Sequence, residues 1–558
     1  MIYNDDELVN GEIIEADICI VGSGAAGITL AMEFQNTNLK IVIVTGGDYR
    51  ETIANQELNK GIVFPKGSHE PLEENRRRAF GGSTIAWGGR CIPLDASDFE
   101  IKEWIPYSGW PISYESLIPF YKKSMDLCKA GQFDFNSYTS FSNSKHQEII
   151  HGIDNDELNS TSLERWSPPV NFSKEYQHIL SGCSNLWVLL NAHVTNIETN
   201  NRKESVSSVS VIANGKGIQI HAKKYILACG GIENPRLLLS SVNSFHPNGI
   251  GNDHDVVGRY YMAHFAGIHI EVSPNDRKNM VFDFEKDSEG VDCRRRWRVT
   301  EKGQHNKKIG AAIFYLHNAK NQEGHRDALF SIVFISKFLL SLSKSHSLQK
   351  AKISWHKEKD EVIIHGKNIL RNGWSEIPRV FKIAVKRLNK RRLPFVLPSV
   401  NSKSFGLYFQ TEHMPNPESR ITVTKTEVDS MGLPKAIVKV AFSEMDRKTI
   451  LEAHEIFVER FQYAQAGEFK FDREELSKFI DEKVRHFNSG AHHLGTTRIA
   501  EDPKFGVVDA DCKVHCMENL FIAGSSVFPT GGHANPTLTI VALAVRLSEH
   551  LKKEFQIV

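Results

Sequence analysis

Gly22, Gly24 and Gly27 stand at the spacing G-x-G-x-x-G, directly after the apolar run 17–21 (DICIV) and at the head of AAGITLAMEFQN. Glycines at that spacing suit the holding of a dinucleotide pyrophosphate. Gly22 permits a tight turn, Ser23 and Gly24 let backbone amides reach phosphate oxygens, and Gly27, beside Ala26, lets a helix pack on the preceding strand. The helix N-terminus adds partial positive charge. A glycine pattern alone is weak, so the elements around it decide. Residues 28–36 have helical spacing and residues 40–44 (KIVIV) read as a second buried strand, which completes a β-α-β unit within about 30 residues. The chain is therefore expected to carry a redox cofactor. A second cluster, Cys512, His515 and Cys516, lacks another ligand pair at zinc-like spacing, and no metal is expected.

The whole chain sets the bounds. Its 558 residues allow a large core and two packed domains. A net charge of +1 gives no general attraction to nucleic acid or to an anionic surface and fits a small neutral substrate. The acidic opening MIYNDDELVNGEIIEAD has no basic region followed by an apolar core, so a cytoplasmic location is expected. The eight scattered cysteines read as reduced structural thiols.

The redox signals fall in three separated places, so the cofactor domain is expected to be discontinuous. The division is 1–110, a connecting segment 111–184, cofactor domain again over 185–254, a substrate domain over 255–485, and cofactor and catalytic residues over 486–558. Strands are expected at 186–190, 194–198, 206–213 and 225–228, the last running into Cys229-Gly230-Gly231 and a helix from Pro235. Between 255 and 485 the alternating runs (YYMAHFAGIHIEV, KKIGAAIFYLHN, FGLYFQTEH, ESRITVTKT, PKAIVKVAFS) predict an antiparallel sheet. The fold class is thus α/β, a Rossmann-like domain with a second α+β domain. Residues 328–342 are strongly apolar and 381–392 form a basic amphipathic helix. The first run is interrupted by Lys337 and too short to cross a bilayer, so no integral membrane segment is expected and both read as a lid and a solvated helix.

Three further motifs join the glycine loop: FGGSTIAWGGR at 80–90, Gly230-Gly231-Ile232 with its helix, and HHLGTTR at 492–498 continuing to FIAGSS at 521–526 and NPTLT at 535–539. In this order they resemble the glucose-methanol-choline (GMC) flavoprotein oxidoreductases, and H-x-x-G-T-T-R with A-N-P-T-L-T is most similar to the pyranose 2-oxidase-like branch. The resemblance implies FAD. Gly22, Ser23, Gly24, Ala26 and Gly27 would hold its pyrophosphate. Gly81, Gly82, Ser83, Trp87, Gly88 and Gly89 would lie along the flavin, and Val194 would meet the adenine. Ala228 and Gly230 supply the second glycine turn, while Ala523, Gly524, Asn535, Pro536 and Thr537 would close the isoalloxazine side. Two departures stand out. The second strand ends in Thr45, where the family usually offers a carboxylate to the ribose, leaving Asp48, Glu51 or another arrangement. Ala86 occupies the position of the flavin-linking histidine of some pyranose oxidases, so FAD is expected to be noncovalent.

The resemblance also implies a chemistry. Oxidising an alcohol removes a hydroxyl proton and a hydride from one carbon; the flavin takes the hydride, and a histidine suits the proton. By motif match His492 is that base and Asn535 the neutral partner that orients the substrate oxygen. His493, pointing elsewhere in an extended segment, and His533, two residues before Asn535, are the competing histidines. The expected function is oxidation of a secondary alcohol of a sugar, glycoside or glycosylated natural product, with oxygen or a quinone or protein as electron acceptor. The alternative is a hydrophobic alcohol, taken from a membrane through residues 328–342.

Overall fold

The computed structural model describes residues 2–3, 8–141, 147–200, 204–317, 331–332, 334–336, 362–371, 373–374, 377–378, 381, 402, 404–485 and 491–557. Most of the apolar run 328–342 and of the basic helix 381–392 lies outside the described residues.

The first layer is an eight-stranded sheet. Its order is Ile2–Tyr3, Leu186–Leu189, Ile41–Val44, Ile13–Val21, Lys216–Leu227, Val206–Ala213, Ala192–Thr199, and Leu520–Ile522 also pairs with Lys216–Leu227. The pairings through Ile13–Val21 are parallel, and the hairpins Ala192–Thr199/Val206–Ala213/Lys216–Leu227 are antiparallel. Ile18 to Val21 and Ile41 to Val44 are buried, as runs rich in β-branched residues covered on both faces of a parallel sheet should be. Helix Ala25–Glu33 covers it, and the C-terminal helix Thr537–Glu554 packs on that helix and on Tyr114–Cys128. A Cβ on Gly27 would collide with the Gly22 carbonyl oxygen, which is why the first helix can sit so close to its strand.

Helix Gly230–Ser240 starts five residues earlier than its proline suggested. Pro235 has no N–H for the carbonyl of Gly231, and that carbonyl instead accepts a hydrogen bond from Thr496 Oγ1 at 2.6 Å. The glycine turn after the fifth strand is thereby tied to the HHLGTTR segment.

The second layer is a six-stranded antiparallel sheet, ordered Gly467–Phe469, His264–Pro274, Phe405–Glu412, Ala312–His317, Trp297–Val299, Leu158–Asn159. Phe405, Leu407 and Phe409 point to a core shared with Phe265, Phe314 and helix Glu444–Tyr463, whose start carries a Ser443/Asp446 capping box. The intervening residues therefore face the other way, and Tyr408 and Gln410 line the central cleft. The register sets His264 opposite Glu412 and Tyr315 opposite Tyr408, so these residues share that face.

One part of the expected antiparallel sheet belongs elsewhere. Arg420–Val428 and Pro434–Lys439 form a hairpin that joins Ile62–Phe64 in a separate three-stranded sheet. It packs on helix Gly230–Ser240 and brings Asp429, Met431 and Leu433 to the cleft. All eight cysteines are free thiols. Among the described residues no helix is long and apolar enough to cross a membrane, and no cluster of three metal-ligating side chains occurs.

Candidate active site

A cavity of about 700 Å³ runs along the C-terminal ends of the parallel strands and out to the face of the antiparallel sheet. Among its lining are Gly22, Ser23, Gly24, Ala26, Gly82, Ser83, Trp87, Gly88, Val194, Ala228, Gly230, Ala523, Gly524, Asn535, Pro536 and Thr537, together with His492. Gly27, Gly81 and Gly89 stand behind this wall. Gly81 (φ +100°) donates its N–H to the Ser23 carbonyl, and a Cβ on Gly89 (φ +83°) would lie 2.6 Å from the Ser167 carbonyl oxygen. Their work is backbone shape.

The strand–glycine–helix unit fits a pyrophosphate. Gly22 has φ +107°, and a Cβ there would sit 2.5 Å from the Ala228 carbonyl oxygen. At Gly24, the residue before the helix, nothing lies within 4 Å of a Cβ position, so the first-turn amides of Ala25 and Ala26 border open space. Trp87 is fixed by its Nε1–H on the Val170 carbonyl at 2.8 Å. Pro536 and Thr537 bring the start of the C-terminal helix to the other end of the cavity, where its dipole favours an anion. Ala86, also in the wall, offers no side-chain nitrogen for a bond to a cofactor.

His492 and Asn535 meet. Asn535 Nδ2 is 3.1 Å from His492 Nε2, and Arg90 Nη1 is 3.1 Å from Asn535 Oδ1. A guanidinium can only donate, so the Asn535 oxygen must face Arg90 and its amide must donate toward His492. On the far side, His492 Nδ1 lies 2.8 Å from His264 Nδ1, while His264 Nε2 is 3.0 Å from the Gly532 carbonyl. That carbonyl accepts only, which puts the His264 proton on Nε2 and leaves its Nδ1 an acceptor. His492 must then carry its proton on Nδ1, and its Nε2 lone pair faces Asn535 and the cavity. Burial, then His264, Arg90 and His493, hold the His492 imidazole well below its ordinary pKa of 6.5, and burial pushes His264 down to about 3. Both rings are neutral at pH 7.

The competing histidines are held by other partners, although His493 also lines the cavity. The His493 ring stacks on His69 at 5.5 Å between ring centres, and on Tyr261. His533 is buried, with Nε2 on Asp95 at 2.8 Å and Nδ1 facing Arg296.

Arg90 is the hub of the substrate-side wall. Its other terminal nitrogen donates to Tyr315 Oη at 3.0 Å, Nε lies 3.4 Å from the buried Glu164, and its guanidinium sits over the Trp166 ring. Burial works against its charge, but Glu164, Tyr315 and Tyr408 outweigh burial and raise its pKa. At the opposite end of the cavity Thr45 ends the second strand with its hydroxyl bonded to Ser23 Oγ at 2.7 Å. Neither acidic substitute reaches the cavity: Glu51 pairs with Arg77 at 2.7 Å, and Asp48 accepts from the Tyr49 amide.

Sequence reasoning missed His264. It sits 228 residues before His492, inside a run read only as strand, and no local spacing signals the contact. Arg90 closes the FGGSTIAWGGR motif, yet its bond to Asn535 needs the fold to be seen.

Two family models, both described as GMC oxidoreductase, match residues 172–266 and 415–544. The 2-methyl-1,2-propanediol dehydrogenase of Mycolicibacterium austroafricanum is 25% identical over 365 residues, covering 65% of this chain and 54% of that protein, so the chain spans about half the length of this curated relative. The paromamine 6'-oxidase of Streptomyces fradiae is 21% identical over 95% of this chain and 90% of its own length. Among solved structures, pyridoxine 4-oxidase from Mesorbium loti superposes with a TM-score of 0.57 at 16% identity, covering 96% of this chain and 99% of that one, a likeness of fold. One matched span carries Val194, Ala228, Gly230 and His264, the other His492, Ala523, Gly524 and Asn535; the chain matches the GMC oxidoreductase family in both its N- and C-terminal parts, and its cofactor is FAD.

Proposed function

We propose that this chain oxidises a secondary alcohol of a sugar, glycoside or glycosylated natural product to a ketone. The line Gly532–His264–His492–Asn535 carries the reading, because it leaves a neutral imidazole nitrogen with its lone pair on the cavity. When bound, FAD supplies the acceptor for the hydride that leaves the alcohol carbon. His492 Nε2 takes the hydroxyl proton. The resulting imidazolium keeps its Nδ1–H on His264 and so does not have to turn. Asn535, its oxygen occupied by Arg90, presents N–H to the substrate oxygen as that oxygen gains charge. Tyr408, Trp166 and Gln410 give ring faces and an amide on the same wall, a mixture suited to a polyhydroxylated ligand. The name of the Streptomyces fradiae relative, a paromamine 6'-oxidase, supports the glycoside class.

The same reading has FAD held without a covalent bond, the cofactor domain divided as 1–110, 185–254 and 486–558, and the protein in the cytoplasm. It is tested by recording the visible flavin spectrum anaerobically while sugars, glycosides and apolar alcohols are added in turn, and then admitting air. Bleaching by a sugar or glycoside is the expected result. Bleaching by lipophilic alcohols alone would refute the substrate class, and return of the spectrum in air would separate an oxidase from an enzyme that needs a quinone or protein acceptor.

A further inference from the structure

We propose that Arg78 and His193 read the adenosine ribose of the cofactor in place of a carboxylate at the end of the second strand; the inference rests on FAD occupying the cleft described above. Two vicinal hydroxyls need hydrogen-bond partners there, and a carboxylate usually accepts from both. In this chain Thr45 stands at the strand end, already bonded to Ser23. Of the cavity-lining carboxylates, Glu233 is taken up by Arg76, Arg78 and Arg236, and Asp429 by Arg236 and the backbone amides of Met431 and Leu433.

What meets the strand end instead is nitrogen. A Cβ on Gly46 would lie 2.7 Å from His193 Nδ1 and 3.2 Å from Arg78 Nη1, so both atoms crowd the residue after Thr45, and all four residues line the cavity. Arg78 is held in place by its other nitrogens: Nε donates to Asn59 Oδ1 at 3.1 Å and Nη2 to Glu233 at 3.0 Å. His193 is 7% exposed, and its Nδ1 is buried with no hydrogen-bond partner among the described residues. A buried ring nitrogen left this way is costly unless a ligand completes it. Burial, with Arg78 beside it, pushes the ring down to about 4, so it is uncharged at pH 7 and can keep a lone pair on Nδ1. One ribose hydroxyl donates to His193 Nδ1 and its neighbour accepts from Arg78 Nη1. The polarity of half the contact is thereby reversed relative to a carboxylate.

The test is equilibrium binding followed by flavin fluorescence, using the full chain stripped of flavin. The probes are FAD, FAD analogues carrying 2'-deoxy- or 3'-deoxyadenosine, and FMN. The wild-type chain is expected to bind at least one deoxy analogue about 10- to 100-fold more weakly than FAD, the loss of one buried hydrogen bond. His193→Leu should bind FAD about as weakly as wild type binds the affected analogue, should no longer tell the two apart, and should leave FMN unchanged. Arg78→Met provides the second variant, with the same pattern expected for the other hydroxyl. Equal wild-type Kd values for FAD and both analogues, or full discrimination kept in both variants, would overturn the inference while leaving the FAD reading intact. A wild-type chain that binds no FAD would instead remove the cofactor reading and this one with it.

Discussion

His264 never needs to touch substrate to govern the rate. It supplies the only acceptor described for the His492 Nδ1 proton, at 2.8 Å, and thereby fixes which nitrogen of His492 is free to take a proton. Replacing it, His264→Leu, keeps a side chain of similar bulk and removes that acceptor. A half-buried N–H left without a partner costs about 1–3 kcal/mol. If that cost falls on the proton-accepting orientation, each ~1.4 kcal/mol is a factor of ten, so the rate of flavin reduction should fall about 5- to 150-fold. His264→Asn, whose amide oxygen can accept the same proton, should recover part of the loss. The pH profile separates this from simple structural damage. His492 is held well below its ordinary value, chiefly by burial, so the wild-type acid limb should lie well below pH 6.5; losing the His264 acceptor that steadies the imidazolium should move it lower still. The assay is stopped-flow reduction under anaerobic conditions, with flavin absorbance confirming that FAD remains bound. A Leu variant that reduces flavin at the wild-type rate with an unmoved acid limb, or an Asn variant no better than Leu, would refute the tautomer argument.

Three other outcomes follow from the same structure. His492→Ala should retain FAD while flavin reduction slows by roughly 10²–10⁴-fold, read by the same stopped-flow measurement. Gly27→Ala should lower Tm and flavin content together, since its Cβ meets the Gly22 carbonyl and relieving such an overlap costs about 1–3 kcal/mol; flavin content equal to wild type would count against the tight helix–strand contact. His454 is fully buried between Phe314 and Phe409, and burial lowers its pKa to about 4. Its unfolded form takes a proton below about pH 6.5 while the folded form does not, so its contribution is present above that pH and is lost as pH falls toward 4. His454→Leu should therefore flatten the acid side of the stability curve by about 1.4 kcal/mol per pH unit in that window, measured by denaturant unfolding at several pH values.

The glycine loop was legible because its meaning is local: a turn, a phosphate and a helix start occupy six consecutive residues, and neighbouring strands announce themselves by composition. The strand Lys216–Leu227 was read only at its apolar end, 225–228, because QIHAKK alternates weakly where the strand leaves the core. The hairpin Arg420–Val428/Pro434–Lys439 was read as strand, but its partner Ile62–Phe64 lies some 370 residues upstream, and nothing in three exposed or half-exposed residues advertises that pairing. The site shows the same limit. His492 and Asn535 sit in recognisable motifs, whereas His264, Arg90 and His193 act through contacts that the antiparallel register and the strand-end crowding create. Residues chosen by their own chemistry were visible; residues chosen for holding another side chain were not.

The distance along the chain between Gly22 and Asn535 has a biosynthetic consequence. The strand that opens the pyrophosphate loop emerges early, but the cleft is not closed until Leu520–Ile522 adds to the parallel sheet and helix Thr537–Glu554 packs on Ala25–Glu33. At about 5–20 residues per second, roughly half a minute to two minutes of translation separates the two. Through that interval helix Ala25–Glu33 lacks its packing partner, the last helix. FAD capture is thus a closing event.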